Sequence, residues 1–199
     1  MTKRIAVLVS GSGTLAQAVF DADVPVALVL ADKPCRALER AHQANVPTML
    51  IDRREYGYHK GAGDNWDRRG FTAHLTRTLL DQDIDVVAMM GFFTILHPVI
   101  FETYAGRILN SHPALLPKFP GEFAVRDTLA AGAHETGTTI HIATPTLDDS
   151  TYILEQRAGI PVYADDTVDS LWERIKVEER LLWVSVLRSI LSEKLKLGA

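Results

Sequence analysis

Ile5-Ala6-Val7-Leu8-Val9 is an unbroken apolar run that stops at Ser10-Gly11-Ser12-Gly13, and it constrains the fold more than any other segment. A strand with one wet face alternates apolar and polar residues, whereas a run like this fits a strand covered on both faces, as in a parallel sheet. Leu15, Val19 and Phe20 follow at helical spacing and predict a helix over 14–22. The same alternation predicts further strands over 24–30, 46–51 and 84–90, and helices over 35–45 and 71–80. Pro25 has no N–H for a ladder, so the second strand is expected at an edge or at a strand start. Right-handed crossovers joining this β-α-β-α-β-α-β order predict an α/β, Rossmann-like fold, with a mostly parallel twisted sheet and helices on both faces. Residues 52–70 are polar and glycine-rich and read as a mobile loop.

After Gly91 the pattern changes. A short helix is predicted over 98–104, a short strand over 107–109, a proline-rich loop over 112–120 and a helix over 124–131. Two strands over 138–143 and 152–155 follow, then one long helix over 167–197 with acids near its start and lysines near its end, as the helix dipole favours. With 199 residues and 47% hydrophobic content, the chain can bury one substantial core. No repeat or linker divides it, so residues 1–199 read as one domain with a front half, 1–91, and a divergent back half, 92–199.

Charge and cysteine content exclude several functions. Lys and Arg number 21 against 25 Asp and Glu, so the basic excess expected of a nucleic-acid binder is missing. Cys35 is the sole cysteine, which rules out an internal disulfide and a cysteine metal cluster and suits a reducing cytoplasm. The apolar start is too short for a membrane helix and lacks a signal-cleavage pattern. The expectation is a cytoplasmic protein, monomer or homodimer, with no metal and neither nucleic acid nor membrane as partner.

Gly11-Ser12-Gly13-Thr14 joins the first strand to the first helix, where backbone N–H groups at a helix start can hold an anion. Read as G-x-G-x-x-A with Asp32 downstream, the same loop also matches a dinucleotide fingerprint, and a plain tight turn is a third reading. The loop alone does not separate these.

The most informative stretch is Asn110-Ser111-His112-Pro113-Ala114-Leu115-Leu116-Pro117-Lys118-Phe119-Pro120-Gly121. Pro113 biases His112 toward an extended conformation. An amide and an imidazole two residues apart on an extended segment share a side. Asn110 and His112 can thus hydrogen-bond one oxygen on which negative charge develops. The competing reading is a polar strand end whose side chains merely satisfy loop backbone groups; His97-Pro98 shows that a His-Pro pair proves nothing by itself.

Together with Val9-Ser10-Gly11-Ser12-Gly13-Thr14, Gly91-Phe92-Phe93-Thr94-Ile95-Leu96, Tyr104 through Pro117, and Gly137-Thr138-Thr139-Ile140-His141 with Gln156 and Val162, this stretch resembles the glycinamide ribonucleotide formyltransferases over nearly the whole chain. The resemblance implies direct attack of a substrate amine on the formyl carbon of 10-formyltetrahydrofolate. Asn110 and an imidazolium at His112 would stabilise the oxyanion, with an aspartate orienting His112. Gly11, Ser12, Gly13 and Thr14 would hold the substrate phosphate, and Glu179 would contact its glycyl amine; beside Lys176 and Arg180, Glu179 otherwise reads as part of a solvated helix face. Phe92, Thr94, Ile95, Leu96 and Ala143 would line the folate site. The front half then becomes the phosphate-binding half, and the back half the catalytic and folate-binding one. The formate-releasing relative fits less well, since it usually carries a further small domain in front of the first strand.

The pattern breaks in places. The family aspartate lies seven residues after the histidine of the Gly-Thr-x-x-His strand, giving Asp148 from His141. It also lies seven before a glutamine, giving Asp149 from Gln156; both stay open. Ser150-Thr151-Tyr152 replaces a Gly-Pro pair in the loop that wraps the pterin, and β-branched Thr151 resists glycine backbone angles. Leu15 stands for an asparagine, Phe123 for a histidine, and Thr94 at a position often held by arginine. These changes admit a formyltransferase for another small amine, or a non-catalytic folate-binding protein. A nicotinamide oxidoreductase would rest on Gly11, Gly13 and Asp32 alone.

Overall fold

The computed structural model describes residues 3–63 and 65–197; Met1 and Thr2 of the chain start, Asp64 of the glycine-rich segment, and Gly198 and Ala199 lie outside them. Two compact units divide the chain between Ile108 and Leu109, the second being Leu109–Lys196.

The first unit contains β1 (Ile5–Val9), α1 (Thr14–Asp21), β2 (Leu28–Ala31), α2 (Arg36–Gln43), β3 (Thr48–Leu50), α3 (Arg68–Asp81), β4 (Val86–Met89) and α4 (Val99–Thr103). Its strands pair in parallel in the order β3-β2-β1-β4. β1 is inaccessible along its whole length and β2 nearly so, the burial that the unbroken apolar runs demanded. Pro25 precedes the second strand instead of marking an edge. The ladder starts only at Leu28 and runs between β1 and β3, so no donor is lost.

Residues 52–70 depart from the expected loop. Arg53–Tyr56 forms a 3-10 turn capped by Asp52, whose Oδ1 accepts from the Arg54 N–H. Tyr56, Tyr58, Trp66 and Phe71 pack edge-on or tilted with ring centroids 5.4–5.6 Å apart. Asp67 Oδ1 accepts from Gly70 N–H at 2.8 Å and starts α3 at Arg68. Four aromatic rings scattered among glycines and charges carry no period, so only their tertiary packing reveals them.

Gly13 joins β1 to α1 at φ 71°, and a Cβ there would lie 2.6 Å from Ala37 Cβ. Gly13→Ala therefore meets both a left-handed backbone and a clash, and is expected to cost about 1–3 kcal/mol. Nothing lies within 4 Å of a Cβ at Gly11, so Gly11→Ala is expected to melt near the parent temperature. Thermal unfolding of the two variants side by side checks the contrast.

The second unit is built on β5 (Ile108–His112, opening at the boundary), α5 (Ala124–Ala130), β6 (Glu135–Ile142), β7 (Ile153–Pro161) and α6 (Val168–Leu191). β6 runs antiparallel to both β5 and β7 and is buried except at Glu135. α6 starts with a capping box between Thr167 and Ser170, and Leu171 and Ile175 pack with Val125 and Ile160. The strands are longer than the sequence predicts. β5 continues through His112, β6 begins at Glu135, and β7 reaches Pro161; β7 mixes half-buried and exposed residues with a single buried one, Ile160, and so shows no alternation. The long helix ends at Leu191 rather than at residue 197.

Candidate active site

β5 pairs Asn110 with His141 and His112 with Thr139 of β6. Strand alternation puts Asn110 and His112 on one face and turns Ser111 to the other. His112 is thus the last residue of a strand, not part of a loop, and is 3% exposed. Its Nδ1 lies 3.4 Å from Asp148 Oδ2, and its Nε2 donates to the Phe119 carbonyl at 2.7 Å. Both ring nitrogens face oxygen acceptors, an arrangement that suits an imidazolium. Phe119 reaches that position with φ 52°, and Asp148 sits at φ 48°.

Asp148 Oδ2 also accepts from the Gly121 N–H at 2.7 Å. Burial by itself pushes the Asp148 carboxyl up; the hydrogen bond and charge of His112, the Gly121 N–H and His141 outweigh it and hold the group below the usual carboxylate range. His141, 1% exposed, is pushed down by burial against the pull of Asp148. A neutral ring accounts for its contacts: Nδ1–H donates to the Ile142 carbonyl at 3.2 Å, leaving Nε2 to accept from Asn110 Nδ2 at 3.3 Å. The 3.8 Å from that Nε2 to Asp148 Oδ1 is too long for a hydrogen bond. Asn110 is therefore aimed by His141, a residue the sequence offers only as part of a motif.

Asp149 lies elsewhere. Its Oδ1 accepts from Thr151 N–H and its Oδ2 from the Thr144 hydroxyl, so it caps the 3-10 turn Ser150–Tyr152. Gln156 Nε2 donates to the Leu116 carbonyl and to Thr139 Oγ1, both at 2.9 Å, while the Thr139 hydroxyl donates to the Ala114 carbonyl. These bonds pin residues 113–117 behind His112. Gly137 lets the strands close: a Cβ there would meet the Arg157 carbonyl at 2.1 Å.

Glu179 is not on a solvated helix face. It occupies the apolar stripe Leu171, Ile175, Glu179, Leu182, Val186 and Ile190 of α6, is 5% exposed, and accepts a hydrogen bond from Ser111 Oγ. Burial raises its pKa, partly offset by Ser111 and the charges of Lys176, Arg180 and His112. An acid whose pKa is raised on folding stabilises the fold below its unfolded value, and that contribution is lost as pH rises through the folded value. Glu179→Gln is therefore expected to raise Tm at neutral pH by about 2–4 °C, with the gain vanishing in acid; calorimetry across pH checks it.

In the first unit, the Gly11, Ser12 and Gly13 carbonyls accept from Ala37 N–H, Arg40 Nε and Gln17 N–H. Gly13 caps α1 without a side-chain bond, leaving first-turn N–H groups at the helix start. Thr14 is half-buried as the first residue of α1. Asp32 is inaccessible, and its Oδ2 is engaged by Arg53 Nη1 at 3.1 Å and by the Thr94 hydroxyl, which donates to it, while Oδ1 is buried without a hydrogen-bond partner. A ribose hydroxyl has no access to that carboxylate, which removes the acid a dinucleotide site requires. Thr94 is turned inward by these bonds, Phe92 and Leu96 are buried, and Ile95 is exposed together with Phe93, a residue the sequence does not single out. Ala143 is half-buried just past β6. Lys33, Arg53, Arg54, Tyr58, His59 and Lys60 line a cavity of about 420 Å³ in the same unit.

A histidine held between a carboxylate and a carbonyl, beside an amide aimed by a second histidine, is an arrangement that can stabilise an oxyanion in group transfer. The family model described as formyl transferase matches residues 3–187, and the chain belongs to that family. The phosphoribosylglycinamide formyltransferase of Mycobacterium tuberculosis is 36% identical over 192 residues, covering 94% of this chain and 84% of that protein. The trifunctional purine biosynthetic protein adenosine-3 of Chironomus tentans is 33% identical over 205 residues; they cover 98% of this chain but only 14% of that longer protein. The crystal structure of glycinamide ribonucleotide transformylase 1 from Symbiobacterium toebii superposes with a TM-score of 0.86 at 33% identity, covering 100% of this chain and 92% of that one. The fold is that of these formyltransferases. No helix among the described residues is long and apolar enough to cross a membrane.

Proposed function

We propose that this protein transfers the formyl group of 10-formyltetrahydrofolate to the amine of glycinamide ribonucleotide, a step of purine biosynthesis, with residues 1–199 acting as one formyltransferase domain. The observation that carries this reading is His112 set between Asp148 and the Phe119 carbonyl, on the same strand face as Asn110.

The amine nitrogen attacks the formyl carbon, and the carbonyl electron pair moves onto oxygen. Asn110 Nδ2–H and His112 Nε2–H donate to that oxygen, which competes with the Phe119 carbonyl for the imidazole proton. Asp148 keeps the ring oriented and stabilises its positive charge. The new N–C bond is retained as the C–N10 bond breaks. The proton lost by the amine reaches the departing nitrogen by way of water and the Asp148–His112 pair. The free N–H groups at the start of α1, with Gly11, Ser12, Gly13 and Thr14, hold the substrate phosphate. Glu179 meets the amine-bearing part of the substrate. Ile95 and Ala143 belong to the folate side, where exposed Ile95 and Phe93 offer apolar edges to a pterin, while buried Phe92, Thr94 and Leu96 hold the segment that carries them.

On this reading the protein is cytoplasmic, works as a monomer or homodimer, and takes folate as a cosubstrate. Incubation with 10-formyltetrahydrofolate and glycinamide ribonucleotide is expected to release tetrahydrofolate in step with formylated product. No turnover by pure protein at high enzyme concentration overturns it. Leu15, buried at the phosphate loop, and Phe123, half-exposed beneath Arg126, favour a second reading, transfer to a different small amine. A panel of amines with the same donor separates the two, since only the second predicts a better acceptor than glycinamide ribonucleotide.

A further inference from the structure

Ser111 stands between the two residues that carry the oxyanion chemistry, yet strand alternation turns it away from both. Its hydroxyl donates to Oε1 of Glu179, 68 positions along the chain. Glu179 sits where an apolar residue would complete the buried stripe of α6, with Ile175 one turn before and Trp183 one turn after, both inaccessible. A carboxylate in such a place is costly unless hydrogen-bonded, and a lone long side chain there has several rotamers open to it. Ser111 answers both conditions from a rigid strand whose next residue is His112.

We propose that Ser111 is a positioning residue: its hydroxyl clamps Glu179 Oε1 so that the other carboxylate oxygen is presented in one orientation to the amine-bearing substrate. This rests on the function proposed above, in which Glu179 touches that substrate. One residue of β5 thereby couples substrate placement to the strand that aims Asn110 and His112.

The electrostatic surroundings make the clamp matter. Lys176 and Arg180 on its own helix and His112 on β5 act on Glu179 through space, while burial works against ionisation. On the elements packed against α6, Arg157 of β7 is engaged by Glu178, His141 of β6 lies against Asp148, and Arg126 and Asp127 of α5 pair with each other. Without the serine hydroxyl the carboxylate loses a donor that favours its charged form, so more of it is protonated at a given pH.

Ser111→Ala, Ser111→Thr and Glu179→Gln form the test set, with glycinamide ribonucleotide and 10-formyltetrahydrofolate as probes. Ser111→Ala is expected to raise KM for glycinamide ribonucleotide about tenfold, with kcat within a few-fold and KM for the folate unchanged. The acidic limb of its kcat/KM profile moves to higher pH. Ser111→Thr restores both, because the hydroxyl returns. Glu179→Gln removes that limb. An unchanged KM and pH profile in Ser111→Ala overturns the proposal, as does a loss confined to kcat. Carbon-13 NMR titration of the Glu179 carboxyl in the substrate-free protein reads the pair without turnover. A higher Glu179 pKa in Ser111→Ala supports the clamp even if the parent forms no product, in which case the proposed function fails alone. An unmoved titration overturns the clamp whatever the activity.

Discussion

Replacing His112 with alanine is expected to lower kcat/KM by about a thousandfold. An oxyanion donor and a group that passes protons are each worth about a hundredfold or more, and His112 serves as both. The substitution also strands the partners of a buried ring: the Phe119 carbonyl and Asp148 both lose a donor. A fall in stability is therefore expected beside the fall in rate, and the two must be separated. His112→Gln keeps a side-chain N–H near the Phe119 carbonyl without a titratable group, so it should fold better than the alanine variant while remaining nearly as slow. Steady-state kinetics with thermal melts of both variants decide the matter. Retention of more than about a tenth of the activity in either would remove His112 from the chemistry.

Asp148→Asn should cost about a hundredfold or more in kcat, and Asp149→Asn less than about tenfold. Asp148 alone faces His112; Asp149 caps the neighbouring turn through Thr151 and Thr144, bonds an asparagine can largely reproduce. The pH dependence of stability gives an independent reading. Because the Asp148 carboxyl is held below its ordinary value, its charge stabilises the folded state above the unfolded pKa of about 3.9, and that contribution is lost as pH falls through the folded value. The Tm gap between parent and Asp148→Asn should thus be widest at neutral pH and close as the solution is acidified below about pH 4. A gap independent of pH, or equal kinetic losses in the two asparagine variants, would refute the assignment.

The front of the fold was legible because its signals are local. The run Ile5–Val9, β-branched and stopped at glycine, fits a doubly covered strand, and Gly13 marks the turn where a Cβ would strike Ala37. Asn110 and His112 were legible for the same reason, since period-two geometry places them on one side. What stayed hidden depends on partners distant in sequence. β7 shows half-buried and exposed residues without alternation and gains its identity from pairing with β6. The knot of Tyr56, Tyr58, Trp66 and Phe71 has no period to read. Thr94 and Asp32 look like ligand-facing groups until Arg53 closes on them.

The same division runs through the active site. The amino-acid sequence by itself determined the α/β class, the glycine turn after β1, and the shared side of Asn110 and His112 on β5, because each follows from backbone geometry within a few residues. Only the tertiary structure decided between Asp148 and Asp149, which are adjacent and chemically identical: the backbone turn at Asp148 aims one carboxylate at His112, and the next residue points to Thr151. It also decided that Glu179 is buried against Ser111. A carboxylate flanked by Lys176 and Arg180 reads as a surface charge until the helix stripe it belongs to is laid on the sheet.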